Sequence, residues 1–102
     1  MIKHVVFFRL ADEAEGKTKL ENAQIIKQGL LSLLDKVPVL KSEKVGINIP
    51  NATKTDHDIC LECEFESWDD LNAYQAHPEH LKVAAYITKC RTGRAAVDYV
   101  MD

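Results

Sequence analysis

Four short segments with period-two alternation and two stretches with helical spacing follow one another in the order strand, helix, strand, strand, helix, strand. That order predicts an α+β fold of the ferredoxin-like kind, a βαββαβ sandwich with its helices on one face of a four-stranded antiparallel sheet. The first strand is apolar on both faces, so the face without helices needs a cover. A second copy of the same sheet is the simplest one, and the sequence predicts a homodimer through the open face of the sheet.

Ile2 to Leu10 reads as the first strand, with His4, Val6, Phe8 and Leu10 on one face and Lys3, Val5, Phe7 and Arg9 on the other. A polar turn follows from Ala11 to Gly16. Lys17 to about Lys36 reads as a long amphipathic helix, because Leu20, Ala23, Ile26, Leu30, Leu33 and Val37 recur at three- and four-residue steps. Pro38 forces the exit. Gly29 inside this helix costs about 1 kcal/mol relative to Ala, which points to close packing against the sheet. Val39 to Ile49 reads as the second strand, with Val45, Ile47 and Ile49 on one face. The short polar segment from Pro50 to Thr55 makes it an antiparallel hairpin with the third strand, Asp58 to Glu66. Ser67 is a natural N-cap for the next helix, with Asp70 in the capping-box position. Pro78 disfavours helical geometry at His77 and suits the first position of a new helix. Leu81, Ala84, Ala85 and Ile87 continue the helical pattern, and Thr92-Gly93 is expected to end it, with Gly93 at C′. Arg94 to Met101 reads as the last strand.

The chain has 102 residues, one domain's worth, taken as residues 2–101. A formal net charge of −3 argues against general nucleic-acid binding, which needs a basic surface. No apolar run approaches the roughly 20 residues that span a bilayer. The amino terminus lacks the shape of a signal peptide, so a cytoplasmic location is expected. Three cysteines do not suggest a disulfide framework. Cys60 and Cys63 form a Cys-x-x-Cys, but on a strand residues three apart point to opposite faces, so they cannot work as a redox pair.

Acid–base chemistry concentrates around the Pro78 joint, at Tyr74, His77 and His80. His80 turned inward would meet His4 between the sheet and the second helical region. A neutral imidazole there can act as a general base, with Tyr74 donating a hydrogen bond to the developing oxyanion. Competing structural roles are a hydrogen-bonded kink for His80 and Tyr74, and a helix cap for His77. A structural metal site is not expected, since four ligands are not evident near His77 and His80. His57 between Asp56 and Asp58 reads as a solvated hairpin. Trp68 reads as a staple against the sheet edge or a partner subunit. The acidic row Glu62, Glu64 and Glu66 reads as a stripe matched across the sheet by Lys3 or Arg9.

The sequence also resembles the stress-responsive A/B barrel (Dabb) domain family. The resemblance rests on Ile2-Lys3-His4-Val5-Val6-Phe7, Val37-Pro38, Val45-Gly46-Ile47-Asn48 and Asp56-His57-Asp58. It continues through Phe65-Glu66-Ser67, Tyr74-Gln75-Ala76-His77-Pro78-Glu79-His80 and Val97-Asp98-Tyr99. It implies two copies packed sheet to sheet into a dimeric α/β barrel. Members of the olivetolic acid cyclase type perform an aldol condensation without metal or organic cofactor. By that resemblance His80 is the catalytic base, Tyr74 its partner and His4 a third polar group, with no cofactor. Leu30 stands where such members carry a pocket tyrosine, so substrate and reaction would differ. A ligand pocket between sheet and helices would be walled by Leu30, Leu61, Cys63 and Leu71. Three functions are thus expected to compete: a small-molecule-binding dimer, a cyclase- or isomerase-like enzyme, and a non-catalytic structural dimer.

Overall fold

A computed structural model describes residues 1–102. Its elements run β1 (Ile2–Leu10), β2 (Glu13–Ala14), β3 (Lys17–Thr18), α1 (Lys19–Lys36), β4 (Ser42–Ile47), β5 (Ile59–Phe65), α2 (Trp68–Ala76), α3 (Pro78–Cys90) and β6 (Arg91–Val100). The main sheet is antiparallel in the order β4-β5-β1-β6, the ferredoxin-like order expected. No helix is long and apolar enough to cross a membrane.

The core lies between the sheet and the helices. From β1 it takes Val6, Phe8 and Leu10, from β5 Ile59, Leu61, Cys63 and Phe65, and from α1 Ala23, Ile26, Leu30 and Leu33. Strict alternation on β5 buries its odd residues and leaves Cys60, Glu62 and Glu64 half-buried on the open face. There Lys3 reaches Glu64 at 3.4 Å and Glu62 at 3.9 Å, which accounts for the acidic stripe. Arg9 instead donates to the Thr55 carbonyl at 2.8 Å. The open face also exposes Phe7, Val97 and Tyr99.

Several boundaries and contacts differ from expectation. Helix α1 begins at Lys19 because Thr18 and Glu21 form a full capping box, preceded by a small β2–β3 hairpin. That hairpin turns at Glu15 and Gly16, both at positive φ, the geometry of a tight two-residue turn. At Ser67 only half of the expected box forms. Ser67 Oγ accepts from the Asp70 N–H, but the Asp carboxylate, one methylene shorter than Glu, does not return the bond. Strand β4 is shorter than expected, and Ile49 lies exposed beyond it. Gly93 is not a helix cap. Arg91 leaves α3 with extended geometry, so no left-handed residue is needed, and Gly93 pairs with Arg9 inside β6. Gly29 packs against α3 rather than the sheet, since a Cβ there would meet Val83 Cγ1 at 3.3 Å. Leu20 and Leu81, placed inward from sequence, are mostly exposed, and Trp68 is exposed rather than packed on the sheet edge of its own chain.

Candidate functional site

The site is built where α2 meets α3 above the sheet. His77 is extended, as the residue before a proline must be, and its Nδ1 accepts the Glu79 N–H at 3.1 Å, capping α3. Pro78 opens α3, which brings His80 back over the last turn of α2. His80 Nδ1 lies 3.1 Å from the Gln75 carbonyl oxygen. A carbonyl only accepts, so Nδ1 carries the proton and the neutral ring keeps its lone pair on Nε2. Burial pushes the His80 pKa below its ordinary value, against the opposing pull of the Gln75 carbonyl, with His4, Arg94 and His77 adding smaller downward shifts.

His4 comes from β1 and is almost fully buried. Its Nδ1 is held by the Asp98 carboxylate, its register partner on β6. That acceptor fixes the same tautomer as in His80, with Nε2 free when the ring is neutral. The two imidazoles therefore reach the site from opposite layers of the fold, each anchored through Nδ1.

Both line one cavity of about 150 Å³. Its polar wall is His4, His80, Gln75, Thr88, Arg91 and Arg94, and its apolar wall is Val6, Phe8, Leu30, Leu61, Ala84 and Ile87. Leu30 and Leu61 lie on this wall. Cys63 and Leu71 are core residues that do not line it. Nor does Tyr74. Its ring is buried between Phe65, with centroids 5.0 Å apart, and His80, at 4.5 Å. It supports the His80 imidazole by packing rather than by a hydrogen bond. Its hydroxyl is buried without a hydrogen-bond partner, and burial drives its pKa upward.

Two larger depressions, of about 530 and 580 Å³, flank the loop between β4 and β5. The first opens on the sheet face at Phe7 and His57, whose rings lie 6.1 Å apart. Neither contains the imidazole pair, so size alone does not locate the chemistry.

Sequence reasoning missed three features. Register aligns Glu43, Cys63, His4 and Asp98 side by side across all four strands on the helix-covered face. Asp98, the partner of His4, was visible in the sequence within Val97-Asp98-Tyr99, with nothing to assign it to His4. Glu43 is the acidic residue on the inward side of β4. Both its carboxylate oxygens are buried without a partner, and burial raises its pKa to about 7. Burial, then the Glu43 carboxylate, raise the Cys63 thiol to about 12, so it is no nucleophile near neutral pH. Arg94 was read only as the start of the last strand, and Arg91 was not singled out.

Residues 2–101 match the stress responsive A/B barrel domain. The stress-response A/B barrel domain-containing protein DABB1 of Arabidopsis thaliana is 29% identical over 102 residues, and the chain spans about half (48%) of that relative's length. A dimeric protein of unknown function and ferredoxin-like fold from Bacteroides fragilis is 31% identical, with a TM-score of 0.87 over 98% of this chain and 95% of that one. The hydroxynitrile lyase of Passiflora edulis shares the fold at 17% identity, with a TM-score of 0.79 over 99% of this chain and 93% of its own. The chain belongs to the stress-responsive A/B barrel domain family.

Proposed function

We propose that this chain is a homodimeric barrel protein that binds a small molecule in the cavity between sheet and helices. The observation that carries this reading is the convergence of His4 and His80 on one partly apolar cavity, each with its tautomer fixed through Nδ1. A cavity of about 150 Å³ is of the size that holds a benzene-sized body. Pairing through the open face is supported by the exposed Phe7, Val97 and Tyr99 and by the dimeric relative from Bacteroides fragilis.

A second reading, proton abstraction beside a carbonyl with His80 Nε2 as general base, is favoured by the Gln75 contact. The Passiflora edulis neighbour is an enzyme on the same fold. Tyr74 would then act on the base by orienting the ring; direct donation to an oxyanion would require its hydroxyl to move into the cavity.

Fragment binding followed by NMR tests the site. Benzene-sized fragments are expected to shift the His4 and His80 ring resonances. Ala84→Leu, which adds bulk at the cavity wall, should weaken them by about tenfold or more with the fold retained by circular dichroism. Unchanged affinity in Ala84→Leu, or shifts confined to the loop between β4 and β5, would reject the cavity as the binding site.

A further inference from the structure

We propose that the His4–His80 cavity selects a small organic anion, a carboxylate or an enolate-forming acid, through Arg91 and Arg94. The inference rests on the small-molecule reading above and adds the charge of the ligand.

The charge census of the cavity carries it. Two of the chain's three arginines line this one small space, together with two imidazoles and no carboxylate. The nearest acid in the register, Asp98, is engaged by His4. Neither Arg91 nor Arg94 forms an ion pair, and neither donates a side-chain hydrogen bond within the chain. Every other lysine or arginine pairing belongs to Lys3, Arg9, Lys17, Lys19, Lys36, Lys41, Lys82 or Lys89. The protein as a whole carries a formal charge of −3, so a local cationic lining runs against its average.

The placement is directional. Arg94 pairs with Phe8 and Asp98 with His4, so Arg94 and Asp98 stand two side-chain steps apart on the same face of β6. Four residues of strand separate them by roughly 13 Å. Arg91 and Arg94 are exposed at the mouth, while His4 is buried at the other end. Leu30, Leu61 and Ile87 supply apolar wall between them. A ligand with one anionic group and a short apolar body satisfies both ends. Its charge meets a guanidinium fork at the mouth, where planar bidentate contact suits a carboxylate, and its body lies along the imidazoles. Burial first, and Arg94 to a lesser degree, favour the neutral state of His80, which keeps Nε2 available as an acceptor when the anion is absent.

The test compares benzoate, benzamide and benzylamine, three probes of similar shape and different charge, by NMR titration at low and moderate salt. Benzoate is expected to bind at least tenfold tighter than benzamide, and benzylamine weakest, with the preference shrinking as salt rises. In the Arg91→Gln/Arg94→Gln double variant the ratio of benzoate to benzamide affinity should fall to about one. Equal binding of benzoate and benzamide to the wild-type cavity would overturn the anion inference and leave the small-molecule site standing. A preference that survives the double substitution would overturn it as well. If no probe reaches His4 or His80, the site reading itself falls and this inference falls with it.

Discussion

Glu43 offers the sharpest test of the buried polar row. Its carboxylate oxygens have no partner, and its register neighbour is the Cys63 thiol. Burial raises its pKa from 4.5 to about 7. The folded protein therefore holds the acid neutral over a range where the unfolded chain ionises it. Stability from this group is full below about pH 4.5 and is lost as pH rises through 7. At full strength the shift corresponds to roughly 3 kcal/mol. Glu43 sits on edge strand β4 and is only half-buried as a whole residue, so water reduces the effect to about 1–2 kcal/mol. Glu43→Gln keeps the shape of the protonated acid and removes the titration. Urea unfolding of both proteins at matched concentration gives the assay. The two should match near pH 4.5, and the variant should gain about 1–2 kcal/mol over wild type by about pH 8. A stability difference that does not change with pH would refute the reasoning.

Two further outcomes follow from packing. Gly29→Val pushes a branched side chain into Val83, where even a Cβ sits at 3.3 Å, and should destabilise the chain by about 1–3 kcal/mol in thermal or urea unfolding. Phe7→Asp with Val97→Asp places two like charges on the open side of β1 and β6, and light scattering is expected to report a dimer for wild type and a monomer for the variant; a dimer of unchanged mass would remove the open face from the interface.

Much of the fold was legible because period is a strong signal. The full extent of β1 and the alternating burial of β5 follow from side-chain direction alone. The Pro78 joint was legible for a stereochemical reason, and His77 caps α3 as the residue before a proline can. What was not legible depends on register. Nothing local says that residue 98 stands opposite residue 4, or residue 43 opposite residue 63; that pairing is set by the whole sheet. The end of α3 was misplaced because Gly93 offers a cap the helix never uses, its chain passing directly into β6. Tyr74 shows the same limit in the site. Its spacing from His80 is a sequence fact, but which way its hydroxyl turns is decided by Phe65 and the core beneath.

The small-molecule reading requires His80 to be a neutral, Nδ1-protonated imidazole that presents Nε2 to the cavity. Nitrogen-edited NMR of the histidine rings tests it most directly. A His80 titration below the ordinary 6.5, an Nδ1–H tautomer at neutral pH, and an Nε2 resonance that moves when a benzene-sized probe enters are expected. An Nε2–H tautomer, or a ring that titrates at or above 6.5 and ignores every probe, would contradict it.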